Sequence, residues 1–430
     1  MSKMLKGHSG KRNLTEWLSY LENIHSVEID LGLQRIGQVA QVLNITFPTS
    51  TVITVAGTNG KGTTCAFLEN AFLAQKRSCA VYSSPHIERF NERLRINRHE
   101  VADSALVDAF ETIEGARGDI SLTYYEYTTL AALVILMQSP PDVIILEVGL
   151  GGRLDATNII DADVAVVTTI DLDHQAFLGD TREAIGFEKA GIMRGNKVAV
   201  VGDIEPPASI ATHANNIGAN AVFRQQDFFV ENATSASSTS HSTWQWRSSD
   251  KTFSPLAKCH IPQDNVATAL MVLNVLAEKL QLTLNSGFIN QIIAKTKVAG
   301  RMEKFSGRCD VILDVGHNPQ AARYLAAQLQ QLNYPKVHAV LGMLSDKDVY
   351  QTTMALRGEV DHWYVGSLDV PRGCSANTIV ENMQIADDKV NCFDNVSQAF
   401  KMAKQNAKAT DLVLVFGSFF TVAHIRRLLV

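Results

Sequence analysis

The chain's clearest chemical signature is a lysine set among glycines. Residues 52–64 read VITVAGTNGKGTT, an apolar β-branched run followed by Gly57, Gly60 and Gly62 around Lys61, then Thr63 and Thr64. Residues 65–74 continue with helix-forming types. Strand, glycine turn with lysine, then helix is the layout of a loop that cradles phosphate. Backbone N–H groups, the helix dipole and the ammonium all favour an anion there. The fit to the general G-x-x-x-x-G-K-[ST] pattern is partial, with Val55 at the first glycine position and Gly62 where a hydroxyl belongs. An ordinary glycine turn is the plainer alternative.

In open α/β sheets, ligands gather at the carboxyl ends of the strands. The polar residues ending the other apolar runs are therefore the next candidates: Ser84, Glu147 after VIIL, and Asp171, Asp173 and His174. A hydroxyl, a carboxylate and an imidazole make a plausible Mg²⁺ set. Glu147 can instead cap the following glycine turn, and His174 can be structural. The stretch 149–158 (GLGGRLDATN) reads as a flexible loop or as one that closes over substrate. Lys189 reads as a helix-surface lysine, unless carbamylation turns it into a carboxylate suited to a metal. Asp314, His317 and Asn318 follow a later strand, as ligand-facing groups or as a helix cap. Arg301 can reach a phosphate bidentately or sit solvated. Ser418 lies in a turn after the last strand. Tyr124, Tyr125 and Tyr127 read as core, and Arg89, Arg93, Arg95 and Arg98 around Phe90 as a solvated basic face able at most to attract an acidic substrate.

Positioning these groups requires alternating buried strands and helices. The periodicity predicts helices over 14–24, 65–73, 104–113, 124–137, 181–190 and 265–278. It predicts strands over 52–56, 79–82, 143–146, 164–170, 197–201, 311–313, 337–341, 363–365 and 412–416. That pattern means α/β architecture, a mostly parallel sheet with helices on both faces. Residues 29–33 read as a loop. Residues 231–251 are rich in Ser and Thr and read as a surface loop or hairpin with little core of its own, the alternating Trp244 and Trp246 favouring the hairpin. A polar stretch at 295–303 places a domain boundary near 299, and no internal repeat is evident.

With 430 residues, the chain has room for two or three domains. Apolar content of 46% and charged content of 19% suit a globular protein, and a net charge of −5 argues against nucleic-acid or anionic-membrane binding. Residues 1–12 are polar and basic, unlike a secretory signal, and no apolar run is long enough for a membrane span. The six cysteines form no C-x-x-C pair, so a zinc site is not expected and reduced thiols in a cytoplasm are.

IDLGL, AGTNGKGTT, YSSPH, ISLTYYEY, ILEVGLGGRLDATN, DLDH, EKAGI, DVGHNP and GSFFTVAH together span nearly the whole chain. They resemble the bacterial folylpolyglutamate synthases, in particular the bifunctional dihydrofolate synthase/folylpolyglutamate synthase family of the Mur ligase superfamily. Glycine after the loop lysine is a trait of that family. The resemblance implies an N-terminal P-loop ATPase domain (1–298) and a smaller C-terminal Rossmann-like α/β domain (299–430), with the active site between them. It implies an amide ligase that forms an acyl phosphate on dihydropteroate or a tetrahydrofolate polyglutamate and passes it to L-glutamate, using ATP and Mg²⁺, with K⁺ a further candidate ion. Thr58, Asn59, Gly60, Lys61, Gly62 and Thr63 would bind ATP phosphates. Ser84, Glu147 and His174 would hold the metal, and Lys189 would be carbamylated. Asn265, Arg301 and Asp314 would contact the nucleotide. Ile29, Asp30 and Leu31, with Ser121, Leu122, Thr123 and Tyr124, would bind the pterin. Asp314, His317 and Ser418 would serve activity and the incoming glutamate. Phe187 and Phe420 depart from the usual pattern. A cytoplasmic monomer with small-molecule substrates, and no nucleic-acid or membrane partner, is implied. The rival readings are a Mur-type ligase of cell-wall precursors and a P-loop ATPase acting on a protein partner.

Overall fold

The computed structural model describes residues 12–232 and 243–430. The reading of residues 1–11 and the middle of the Ser/Thr-rich stretch lie outside the described residues. The first sheet contains β1 (Thr51–Ala56), β2 (Cys79–Tyr82), β3 (Leu94–Ile96), β4 (His99–Glu100), β5 (Val143–Glu147), β6 (Val164–Val167), β7 (Val198–Val201) and β8 (Asn220–Phe223). Their order is β4-β3-β2-β5-β1-β6-β7-β8, parallel from β2 to β8, with β3 and β4 antiparallel at one edge.

Alternation along these strands supplies two apolar faces. Ile53, Val55, Val81, Ile145 and Val166 pack with helices Lys61–Ala74 and Gln263–Leu276. Val52, Ala80, Tyr82, Ile144 and Leu146 pack on the other side with helices Leu14–Leu21, Asp103–Arg117 and Tyr124–Gln138. Because β1 is covered on both faces, all six of its residues are buried. Tyr127 lies in this core, as predicted.

The Ser/Thr-rich stretch belongs to an antiparallel unit of β9 (Phe228–Asn232), β10 (Trp244–Ser248) and β11 (Thr252–Leu256). Here the expectation of little core fails. Trp244 and Trp246 are buried in the same core as the first sheet. The Trp246 indole N–H donates to the Ala267 carbonyl (3.1 Å) and its ring stacks on Phe253 at 5.3 Å. Trp246→Ala is expected to cost about 3–5 kcal/mol, measured by urea unfolding, because a large cavity opens under helix Gln263–Leu276.

The second sheet holds β12 (Glu303–Phe305), β13 (Asp310–Asp314), β14 (Val337–Leu341), β15 (His362–Gly366), β16 (Val390–Phe393) and β17 (Leu412–Phe416). Its order is β12-β13-β17-β14-β15-β16, parallel except for β12. Helices again cover both faces. Among the described residues, no helix is long and apolar enough to cross a membrane.

Candidate active site

Strand order explains the site. Since β2, β5, β1 and β6 are parallel neighbours, the turns leaving their carboxyl ends lie side by side. One cavity is accordingly lined by Thr58, Asn59, Gly60, Lys61, Gly62, Ser84, Glu147, Asp173, His174 and Lys189, with Arg301, His317 and Phe419 from the C-terminal part.

The glycine loop is sterically specified. A Cβ on Gly57 would sit 1.8 Å from Thr168 Oγ1, and one on Gly60 (φ +91°) 2.4 Å from Asn265 Oδ1. Lys61 opens its helix and folds back over the loop, its ammonium donating to the carbonyls of Gly57 (2.8 Å) and Thr58 (3.4 Å). The N–H groups of that first helical turn have no intrahelical acceptor. The Thr63 hydroxyl donates to the Gly60 carbonyl and accepts from Asn265 Nδ2 at 2.8 Å, so it braces the loop.

Burial dominates the electrostatics. It lowers the Lys61 ammonium's pKa, against the pull of Glu147 and Asp173. It raises the Glu147 carboxyl, against Lys61 and Arg301. His174 is held down to about 4 by burial, which leaves its imidazole neutral. Lys189 is 4% exposed, not on the helix surface, and burial with the nearby Lys61 charge lowers it to about 7. A buried carboxylate, a serine hydroxyl and a neutral imidazole on one cavity suit a hard divalent cation. Among the described residues, no group of three His, Cys, Asp or Glu is arranged for a metal, so the hydroxyl of Ser84 is needed to complete such a set.

The 149–158 stretch, read either as a flexible loop or as one that closes over substrate, is tied down. Asp155 accepts from the N–H groups of Gly149, Leu150 and Thr157, and Arg153 pairs with Glu188 at 2.8 Å. Gly152 packs against the helix carrying Lys189, where a Cβ would meet the Glu188 carbonyl at 2.8 Å. Arg93 and Arg95 are not a solvated face either. The Arg93 guanidinium lies 5.6 Å over the Tyr124 ring, and Arg95 pairs with buried Glu69 at 3.0 Å.

A second cavity, about 210 Å³, opens between Asn265, Ile261, Pro262, Arg301, Asp314 and Tyr324. Asp314 is buried, and its oxygens accept from the backbone N–H groups of Met302 (2.9 Å) and Gly316 (2.8 Å). Those bonds make it a turn anchor. His317 Nδ1 bonds to the Val315 carbonyl at 2.8 Å, and its Nε2 lies 3.7 Å from Asp173. Ser418 is not brought into these cavities. Its hydroxyl caps helix Phe419–Arg426 by accepting from the Thr421 N–H. Phe420 is exposed.

A third cavity, about 540 Å³, is lined by Ile29, Leu172, His174, Phe177, Lys347 and Arg372, among others. Beside it, His25 bridges two of the expected substrate segments. Its Nδ1 lies 2.8 Å from the Ser121 hydroxyl and its Nε2 3.2 Å from Asp30, which also pairs with Arg35. Leu31 is half-buried. Leu122 and Thr123 face inward, Leu122 as core and Thr123 as the N-cap of helix Tyr124–Gln138.

Sequence reasoning named Asn59, Asp173 and Asn318 but missed Lys347 and the bonds by which these groups join the two sheets. Asp173 accepts from Lys347 (2.8 Å) and Asn318 (3.1 Å), and Asn59 donates to Asn318. Burial alone would raise the Asp173 carboxyl, but His317, Lys347 and His174 hold it well below the ordinary carboxylate range. Their separation along the chain left no local signal.

Residues 55–277 match the Mur ligase middle domain, and residues 300–419 match the Mur ligase glutamate ligase domain. The dihydrofolate synthase/folylpolyglutamate synthase of Escherichia coli is 48% identical over 413 residues, covering 96% of this chain and 94% of that protein. The structure of E. coli FolC in complex with DHPP and ADP superposes with a TM-score of 0.90 at 47% identity, covering 97% of both chains. The bifunctional enzyme from Yersinia pestis, complexed with AMPPNP and Mn ion, gives 0.89 at 45% identity, over 97% of this chain and 98% of that one. Ends of parallel strands that converge on a glycine–lysine loop thus coincide with whole-chain similarity, and the chain belongs to the dihydrofolate synthase/folylpolyglutamate synthase family of Mur ligases.

Proposed function

We propose that the cleft between the two sheets is where this ligase joins glutamate to a pteroyl or folyl carboxylate. The chain is an ATP-dependent ligase of folate metabolism with dihydrofolate synthase and folylpolyglutamate synthase activity. The observation that carries the site assignment is the convergence of Lys61, Ser84, Glu147, His174 and Lys189 on one cavity that Arg301 and His317 also reach. We assign the ATPase part to residues 1–298 and the ligase part to 299–430.

Lys61 and the free N–H groups from Gly60 to Thr63 hold the ATP phosphates. Thr58 and Asn59 brace that loop, and Asn265, Arg301 and Asp314 line the cavity assigned to the base and ribose. Ser84, Glu147 and His174 hold a divalent cation, for which we propose Mg²⁺, with K⁺ a further candidate; the Mn and AMPPNP of the Y. pestis structure support this. Such an ion supplies neutralisation of the phosphate oxygens. Lys189, buried and with a depressed pKa, presents a neutral amine for carbamylation by CO₂, which would turn it into an anion facing the same cavity.

The substrate carboxylate attacks the γ-phosphorus as the bond to ADP breaks. Lys61 and Arg301 offset the developing charge. The neutral amine of glutamate then attacks the acyl carbon, forming the amide as the acyl C–O bond breaks and phosphate leaves. His317 lines this cavity, and its Nε2, 3.7 Å from Asp173, can take the amine's proton. We assign the pteridine to the side of Ile29, Asp30, Leu31, Ser121 and Tyr124, where His25 joins the two segments. Leu122 and Thr123 then act through packing and capping. Ser418 positions helix Phe419–Arg426 for the incoming glutamate. Six free cysteines suit a cytoplasmic setting, and we propose a monomer without macromolecular partners.

An ADP-release assay with glutamate tests the reading. Turnover with dihydropteroate and with tetrahydrofolate is expected. ADP release indifferent to either substrate would favour a partner-driven ATPase, and turnover only with a cell-wall precursor would favour a Mur-type ligase.

A further inference from the structure

A fourth cavity, about 300 Å³, branches from the catalytic one and shares Gly62, Ser84, Glu147, Arg301 and Phe419 with it. Its charges are unequal in a way that composition hides. Of its acidic groups, Glu69 is paired with Arg95 at 3.0 Å. Glu92 accepts from the backbone N–H groups of Ile87, Glu88 and Arg89 at 2.7–2.8 Å. Glu147 lines both cavities and is offset by Lys61 and Arg301.

Two of the cations are not matched. Arg98 leans on the side-chain oxygen of Asn70 and pairs with no carboxylate among the described residues. Lys297 likewise has no carboxylate partner among the described residues, whereas Arg301, which also lines this branch, is offset by the buried Glu147 and Asp314. Arg98 sits in the left-handed turn between β3 and β4 (φ +69°) and lines the cavity beside Asn70. Two exposed cations without a carboxylate partner on the wall of one cavity of ligand size favour an anion with more than one negative group.

We propose that this branch binds the α-carboxylates of the γ-glutamyl tail on folate substrates, through Arg98 and Lys297, while the terminal carboxylate reacts beside Ser84 and Glu147. The inference rests on the ligase reading. It adds a discriminating element, because dihydropteroate carries no glutamyl tail and cannot use the subsite, whereas each added glutamate brings one more carboxylate. The other anions present, ATP and free L-glutamate, are separate arms of the test.

The test compares KM values of wild type, Arg98→Ala, Lys297→Ala and the double variant for dihydropteroate, tetrahydrofolate triglutamate, ATP and L-glutamate. Each single variant is expected to raise KM for the triglutamate about fivefold, the upper end for an exposed charge pair. The double variant is expected to raise it about 25-fold if the sites act independently. KM for dihydropteroate, ATP and L-glutamate should stay within about twofold, and added salt should weaken the wild-type preference for the longer tail. Unchanged triglutamate KM overturns the subsite, as does an equal rise for dihydropteroate, or a rise confined to ATP or L-glutamate. A wild-type enzyme that turns over neither folate substrate contradicts the ligase reading itself, a result distinct from a failed subsite.

Discussion

Lys61→Ala is expected to lower ADP formation by about 10³-fold, with the far-ultraviolet circular dichroism spectrum retained. The Lys61 ammonium is fixed by two loop carbonyls, so on the proposed assignment it would meet the phosphates already oriented. It is also placed where burial strengthens every charge interaction, near Glu147 and Asp173. The fold should survive because helix Lys61–Ala74 is held by Cys65, Phe67, Leu68, Ala71 and Phe72 in the core. Single-turnover kinetics separate this loss from slower product release. Near-normal turnover in the variant would remove Lys61 from the reaction.

The second large effect falls on Lys189. Lys189→Ala is expected to cost about 10²–10³-fold in kcat, and formate or acetate should restore part of it by replacing the lost carboxylate. The unmodified amine has a pKa near 7 in the fold against 10.5 ordinarily. Between these values the unfolded chain binds more protons than the folded one, so this residue's contribution to stability rises with pH across that window and falls as pH drops toward 7. Lys189→Ala should flatten that slope in CO₂-free buffer, measured by urea unfolding from pH 7 to pH 10. CO₂ uptake, followed by mass spectrometry of the intact protein, should rise through pH about 7 as the amine deprotonates. Full activity in Lys189→Ala, with no response to formate, would make Lys189 a packing residue.

Much of this site was legible because its groups end apolar strands. Glu147 follows VIIL, and Lys61 follows the β-branched run of β1, so continuous apolar runs of strand length place both at the carboxyl end of one sheet. Helix Gln34–Val42 was not legible. Its QRIGQVAQV buries only Ile36 and Val39, too weak an apolar stripe to stand out beside Gly37. The two roles of Asp173 and the bridging by His25 depend on residues distant in the chain, such as Lys347 and Ser121, and no local pattern encodes such pairs. Thr63, Asp314 and Ser418 show a different limit. Their positions follow from the motif, but which way their side-chain oxygens turn is decided by Asn265, by the Met302 and Gly316 N–H groups, and by a helix cap.

The acyl phosphate is the core of the account, and oxygen transfer tests it most directly. With ¹⁸O in the reacting carboxylate of dihydropteroate, turnover with ATP and unlabelled glutamate is predicted to deliver the label into the released inorganic phosphate, because the carboxylate oxygen that attacks phosphorus leaves with it. Phosphate free of ¹⁸O at full turnover would mean that ATP hydrolysis and amide formation are not joined through that bond, and the assignment of this cleft would have to be abandoned.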